Sequence, residues 1–414
     1  MEARAWIDAL MTPAGARLMA ELTPYDPAAT LAVADRARRE LPAEIVSAAL
    51  TQARLRTRAA ERWTDDPAAT TLWFTTDALE QATRPAVARY RAAHLVARGA
   101  TVIADLGCGV GLDTIAFARA GLRVHAMERE PDIAALAQAN VAASGFSTQC
   151  SIAQAEVTAD TVVAADCDAI FLDPARRRDG RRLREVEQWS PPWHHASALA
   201  SSRRLGAVKV APGIDRELGG AGTTTEWISH NGDLVEACVW FGDAADPAVS
   251  HRATLLTAGA STVDAEALTV TSAGTDLAGG LAAAERGPIS EYLLEPDSAI
   301  IRAGLVAQIC TAVNGWLLDE RIAYISCSTI PDASPLYSRF AVRDTLPFSI
   351  KSLRAELRRR GIGRVEIKKR GIAMTPEEVR AQLRLDTSLP HFATVLLTRV
   401  GSQPVAVIAD RLTV

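Results

Sequence analysis

The stretch Val102-Ile103-Ala104-Asp105-Leu106-Gly107-Cys108-Gly109-Val110-Gly111 constrains the fold more than any other part of this chain. Its first five residues predict a short buried strand. Three glycines at alternate positions then form a turn in which no side chain keeps a ligand from the backbone, and Asp113 to Ala120 has the spacing of an amphipathic helix. A strand, a glycine turn and a helix in that order open a βαβ unit, which requires a parallel sheet with crossover helices. The following residues supply one. Strands are predicted at Arg123 to Met127, near Gln149 to Ala153 and at Ala169 to Leu172, with a helix from Pro131 to Ala143. The run from Ala207 through Glu226-Trp227-Ile228-Ser229 and Val235 to Phe241 adds later strands.

Residues 1–75 read as a small helical domain, with apolar positions at helical spacing (Leu31, Ala34, Ala37, Leu41) punctuated by Pro24, Pro27 and Pro42. A helix capped by a threonine at Thr76 is expected to run through Ala86 to Tyr90 into the sheet domain, which spans 76–245. Residues 246–335 read as a connecting extension, hairpin-like or loop-rich where Ala, Gly, Thr and Ser dominate. The last domain, 336–414, should hold a helix at 350–360 and strands at Arg364 to Lys369 and Thr394 to Arg399. A helix is expected at 298–316 and a strand at Arg321 to Ser326.

The glycine spacing is GxGxG with Asp105 two residues before the first glycine, unlike the GxGxxG of dinucleotide-binding folds. Asp113 would also sit badly beside a pyrophosphate. The second strand ends at Glu128, where a carboxylate can accept both hydroxyls of a ribose. In these features the chain resembles the class I S-adenosylmethionine-dependent methyltransferases over roughly residues 76–245. The resemblance implies that Asp105, Gly107, Gly109 and Gly111 line the methionine end of S-adenosyl-L-methionine, that Glu128 holds the ribose, and that Glu156 lies near the adenine. It also implies a Rossmann-like α/β sheet.

Strand four ends Ile170-Phe171-Leu172-Asp173-Pro174-Ala175-Arg176, delivering an acid and a proline to the carboxyl edge where open α/β folds bind ligands. Family members that methylate exocyclic nitrogens carry Asn/Asp-Pro-Pro-aromatic here. Ala175 and Arg176 depart from that pattern, which leaves the methylated atom open. Asp173, Pro174 and Arg176 are the catalytic candidates. Tyr324-Ile325-Ser326-Cys327-Ser328 superficially resembles the cysteine motif of RNA uracil-C5 methyltransferases. It lies too late in the chain and lacks the following Asn, so Cys327 is expected to be a buried strand cysteine. Lys209 ends another apolar strand at the same edge and reads as a second charge or a structural ion pair.

Six arginines (Arg176, Arg177, Arg178, Arg181, Arg182, Arg184) fall within nine residues at the mouth of this site, a pattern suited to phosphate. Between Arg339 and Arg370, eleven Lys or Arg face three acids, a local net of +8 in a chain of net −4, the footprint of an anionic partner. The segment Ser352 to Gly363 is a helix closed by glycine, and Arg364 to Gly371 an alternating strand with a basic face. These elements resemble the THUMP-like domain that follows a methyltransferase domain in a bacterial family of S-adenosylmethionine-dependent enzymes. The EYLLEPDSAIIRAGL segment from Glu291 and the TTDALEQAT segment from Thr75 share the likeness. THUMP domains bind RNA.

The expectation is therefore an α/β enzyme with an N-terminal helical domain and a C-terminal α+β THUMP-like domain, methylating a base in structured tRNA or rRNA. Arg177, Arg178, Arg181, Arg358, Arg359, Lys368, Lys369 and Arg370 would contact RNA. The alternatives are a methyltransferase for a small molecule or protein, or a non-catalytic RNA-binding protein that keeps the fold. Composition excludes disordered, collagen-like and coiled-coil chains. The six cysteines form no CxxC pair, so neither zinc nor a disulfide framework is expected, and no metal. No segment approaches the ~20 apolar residues of a membrane helix and no signal peptide is apparent, so the protein is expected in the cytoplasm, away from membranes.

Overall fold

The computed structural model describes residues 3–64, 66, 71–178, 181–257, 266–272 and 284–413. The chain divides into two compact units: Met1–Thr224 with Glu236–Pro247 and Leu256–Ala267, and Thr225–Val235 with Ala248–Leu255 and Leu268–Val414.

The first unit begins with α1 (Ala3–Met11), α2 (Pro13–Glu21), α3 (Pro27–Ala37) and α4 (Ala43–Arg62). Thr12 and Asp26 cap α2 and α3, each followed by a proline at the first helical position, where its missing N–H costs nothing. The predicted helix from Thr76 to Tyr90 is two helices, α5 (Thr76–Gln81) and α6 (Pro85–Val96). Thr75, not Thr76, caps α5 by accepting from the Ala78 N–H, and Pro85 starts α6 because a proline ring cannot continue the preceding helix.

The sheet strands and their crossovers are β1 (Val102–Leu106), α7 (Leu112–Arg119), β2 (Arg123–Glu128), α8 (Pro131–Ala143), β3 (Cys150–Gln154), β4 (Ala169–Leu172), the two-residue pair β5 (Arg177–Arg178) and β6 (Arg181–Arg182), α9 (Trp193–Ser201), β7 (Leu205–Val210) and β9 (Asp233–Gly242); β8 (Thr224–His230), which precedes β9 in the chain, belongs but for Thr224 to the second unit. In this unit the order is β9-β7-β4-β1-β2-β3, with β9 antiparallel to β7 and the others parallel. Strands β1, β4 and β7 are buried along their whole length, as parallel strands covered on both faces must be. Chain order reverses between β1 and β4, which opens a crevice at the carboxyl ends of the strands.

The N-terminal helices share one apolar core with Val110, Leu112, Ile115, Leu136 and Val141 of the sheet domain. Asn140 of α8 fastens the segment before α5 to the glycine turn. Its amide oxygen accepts from Trp73 N at 2.7 Å, and its Nδ2 donates to Trp73 O at 3.0 Å and Val110 O at 2.9 Å. One buried side chain thus fixes the backbone on two sides of the crevice.

The second unit includes β10 (His251–Thr257), β11 (Glu266–Thr271), β12 (Tyr292–Pro296), α10 (Ser298–Ala303), α11 (Val306–Ala312), β13 (Trp316–Asp319), β14 (Ile322–Cys327), β15 (Tyr337–Pro347), α12 (Ile350–Arg359), β16 (Ile362–Lys369), α13 (Pro376–Leu383), β17 (His391–Val400) and β18 (Gln403–Leu412). Seven strands pair as β13-β14-β12-β15-β18-β17-β16. The segment expected to be a connecting extension thus gives β12, β13 and β14 to the same sheet as the last domain. The helix expected at 298–316 is broken because Gly304 takes a left-handed conformation (φ +77°) that ends α10. Helices α12 and α13 cover one face of the sheet through Leu353, Leu357, Val379 and Leu383.

Candidate active site

A cavity of about 450 Å³ lies at the carboxyl edge of the first sheet, walled by the turn after β1, the end of β2, the segment after β4 and helix α5. Asp105, Gly107, Gly109, Glu128, Asp173, Pro174 and Arg176 all line it. Gly111 does not. It caps α7 at φ +88°, a backbone conformation that favours glycine, and a Cβ there would meet Ala137 of α8 only at an ordinary contact distance of 3.6 Å. Glu156 is also absent from this cavity; it lines an adjoining recess of about 70 Å³ shared with Glu128, Arg129 and Asp173.

The turn closes through backbone bonds. The Gly107 and Cys108 N–H groups donate to Met127 O at 2.9 and 3.0 Å, which ties β1 to β2. Gly107 sits at φ +88°, and a Cβ on it would come within 2.9 Å of Asp173 O. Glu128 is held from both sides, Oε2 accepting from Gly109 N at 3.1 Å and Oε1 from Glu130 N at 2.9 Å. Its carboxylate therefore has a fixed direction on the cavity wall. The Asp173 segment is pinned by two backbone bonds between Ala175 and Ser190, at 2.8 and 3.1 Å.

Asp105 is fully buried. Thr114 donates to its Oδ2, while Oδ1 is buried without a hydrogen-bond partner. Burial, reinforced by the nearby Asp113, pushes its pKa up to about 8. A pKa raised on folding adds stability at low pH that is lost as pH rises toward and through about 8. The cofactor-free protein should accordingly lose stability between about pH 5 and 9, and Asp105→Asn should flatten that slope. Urea denaturation midpoints across that range test this; equal slopes in both proteins would contradict it.

From the cavity wall inward runs a chain of buried charges whose pairing the sequence did not reveal. Lys209, at the end of β7 with its side chain 4% exposed, donates to Asp173 Oδ2 at 2.7 Å and to Thr83 Oγ1 at 2.8 Å. Thr83 in turn donates to Asp113 Oδ2 at 2.6 Å. The fully buried Arg91 joins the other oxygen of Asp113 to Glu236 and lies over the Phe171 ring at 4.4 Å. Burial pushes the Glu236 pKa up, and the guanidinium of Arg91 opposes that. In sequence Arg91 is one more arginine in a helix; the hint is an Asp at 113, on a helix whose other residues are apolar apart from Thr114 and Arg119.

The arginine-rich loop is less uniform than its sequence suggests. Arg176 is half-buried on the cavity wall and Arg181 is exposed. The backbones of Arg177 and Arg178 pair with 181–182 as β5 and β6, and their side chains lie outside the described residues.

In the second unit, Lys368 pairs with Glu295 at 2.7 Å and Arg370 pairs with the same carboxylate at 3.2 Å. The expected free basic face of this strand is therefore corrected in part: Glu295, brought in by β12, pairs with both cations, one carboxylate against two positive charges. Arg359 pairs with Glu356 at 2.5 Å. Arg358 and Lys369 are exposed and bond backbone carbonyls, to Arg384 O at 3.4 Å and Ile372 O at 3.2 Å. Cys327 is fully buried in β14, and burial pushes its thiol up to about 11, which fits a core cysteine.

An open parallel sheet whose order reverses beside a GxGxG turn, with an acid ending the neighbouring strand, defines a class I S-adenosylmethionine-dependent methyltransferase. Comparison with known proteins agrees. Residues 337–411 match the family model described as THUMP domain-like, and residues 4–59 a domain of unknown function, DUF8688. Two Mycobacterium tuberculosis proteins, from strains CDC 1551 / Oshkosh and H37Rv, are each 34% identical over 334 residues, covering 80% of this chain and 85% of theirs. Both are named "Uncharacterized S-adenosylmethionine-dependent methyltransferase". The crystal structure of a "putative methyltransferase" from Porphyromonas gingivalis W83 shares the fold at TM-score 0.69 and 18% identity, covering 94% of this chain and 100% of that one. The chain belongs to this family of S-adenosylmethionine-dependent methyltransferases, carries a C-terminal THUMP-like domain, and uses S-adenosylmethionine. Among the described residues no helix is long and apolar enough to cross a membrane.

Proposed function

We propose that this methyltransferase modifies a base in structured RNA, tRNA or rRNA. The observation that carries the reading is the THUMP domain-like match at 337–411. It coincides with the most basic part of the chain, where Lys351, Arg358, Arg364 and Lys369 are exposed. With Arg181 these residues are suited to phosphates. Lys368 and Arg370 are left out, since Glu295 already holds them.

In this reading Asp105, Gly107, Gly109 and Glu128 hold the cofactor. The orphaned Asp105 Oδ1 offers an acceptor to the methionine ammonium, the Gly107 turn admits the ligand against backbone, and the fixed Glu128 carboxylate takes the ribose hydroxyls. Glu156, in the adjoining recess, serves the adenine end. When bound, S-adenosylmethionine supplies an electrophilic methyl group on sulfur. Asp173 accepts the hydrogen of the acceptor base and Pro174 stiffens the backbone that presents it. Arg176 lends charge to the same wall. The base must leave its stack to reach a cavity of this kind.

Transfer of labelled methyl from S-adenosylmethionine to total RNA from cells lacking the protein tests the proposal. Label should enter RNA with the wild type and not with Asp173→Ala. RNA binding should weaken roughly 30-fold between about 50 and 200 mM salt, because phosphate contacts release counterions. Label confined to a protein or small-molecule fraction would overturn the RNA reading.

A further inference from the structure

Strands β4 and β7 pair in parallel with Leu172 opposite Val208, so Asp173 and Lys209 are the next residues along, side by side at the carboxyl edge. Alternation along each strand turns both side chains to the same face. The lysine stem lies within the sheet, and its ammonium does not line the cavity; it reaches Asp173 from behind. It donates to Oδ2 alone, which leaves Oδ1 for a ligand.

We infer that Lys209 is a positioning residue for methyl transfer, fixing Asp173 as a carboxylate with one oxygen bound and the other free for the acceptor. The inference rests on the reading of Asp173 as the acceptor-site acid. Every donor in the supporting chain has a direction: Lys209 gives protons to Asp173 and Thr83, Thr83 gives its proton to Asp113, and Arg91 bridges Asp113 and Glu236. Two cations therefore alternate with three acids, which leaves one net negative charge in the chain. Glu236 is 3% exposed, and Asp113 lines the cavity but is 6% exposed with its two oxygens bonded to Thr83 and Arg91, whereas the Asp173 side chain is 26% exposed, so Asp173 is the acid of the chain most open to the cavity. A lysine buried this far pays a desolvation cost that its two hydrogen bonds offset, and the geometry it enforces is that of the reacting edge.

Asp173 has charged and titratable neighbours on several elements. Lys209 of β7 and Thr83 between α5 and α6 flank it, Asp105 of β1, Arg91 of α6 and Glu236 of β9 act on it electrostatically, and Arg176 shares its wall.

The test compares wild type, Lys209→Met, Lys209→Arg and Thr83→Val in the full chain. Labelled methyl transfer at saturating S-adenosylmethionine is measured into whichever fraction of extract from deficient cells takes label: RNA, protein or small molecules. Lys209→Met should lower turnover by about 100-fold. Its cofactor affinity, measured by calorimetry, should be unchanged. The acid limb of its residual rate profile should move up by about one pH unit. Lys209→Arg should restore most of the turnover, since it returns the charge. Thr83→Val removes the second anchor of the ammonium and should cost about tenfold, and it carries the test if Lys209→Met does not fold. A folded Lys209→Met with wild-type turnover and pH profile overturns the inference, as does a folded Thr83→Val at full rate. Label in protein or small molecules would defeat the RNA reading alone, because the same variants are compared on that fraction.

Discussion

Gly107→Ala is expected to abolish productive cofactor binding while leaving the protein folded. The residue holds φ +88°, a conformation costing a non-glycine residue about 1–2 kcal/mol. The added methyl would also lie 2.9 Å from Asp173 O, and that carbonyl belongs to backbone that cannot swing aside, being fixed between β4 and the Ala175–Ser190 bonds. Relief must come from moving either the turn or the Asp173 segment, both of which wall the cavity. A displacement of the turn strains the Gly109–Glu128 bond that fixes the Glu128 carboxylate, and a displacement of the Asp173 segment reshapes the cavity wall. We expect S-adenosylmethionine affinity to fall by about 100-fold, equivalent to about 3 kcal/mol, against a smaller loss of melting temperature. Calorimetric titration and thermal melting of the same sample decide it. Affinity within a few-fold of wild type would show that the turn does not carry the cofactor.

Arg91→Met should be the most destabilising single change in the first unit. Methionine fills the volume beside Phe171, so packing is largely kept, but Asp113 and Glu236 lose the cation that joins them while remaining buried. Removing one member of a buried ion-paired group typically costs about 3–5 kcal/mol, because the remaining charges stay desolvated. The cost should shrink at low pH. Burial already raises the Glu236 pKa, and without Arg91 it rises further, so protonation removes the uncompensated charge. Urea denaturation at about pH 5 and 8 should give a clearly larger deficit at the higher pH. Equal deficits would mean that the loss comes from packing and not from charge.

How much of this was legible in the sequence follows from the range over which each feature is encoded. The β1 turn was readable because its conformation depends on adjacent residues: an apolar run that must be buried, then glycines where positive φ is needed. Glu128 and Asp173 were readable for a related reason. Each directly follows or ends an apolar strand, and the ends of parallel strands lie at the ligand-binding edge. Gly111 matched the pattern yet lies outside the cavity lining, since a glycine that permits a left-handed cap looks the same in sequence as one that admits a ligand. The helix expected from Thr76 to Tyr90 failed at Pro85, and the one at 298–316 failed at Gly304; both breakers were visible, but apolar periodicity on either side masked them.

Charge was the least legible property. Lys368 and Arg370 look like a basic strand until β12 brings Glu295 between them. Lys209 reads as a second charge or an ion pair at the same edge, and only the β4–β7 register names Asp173 as its partner.

The sequence by itself determined the α/β class, the strand-turn-helix that walls the cavity, and the edge at which acids accumulate, because these depend on neighbours within about a turn or a strand of one another. Only the tertiary structure decided which charges meet. Arg91 and Glu236 are 145 residues apart and Lys209 and Thr83 are 126 apart. An ion pair or hydrogen bond forms over a few ångströms, whatever the distance along the chain, so its partners exist only once the sheet order and register are in place.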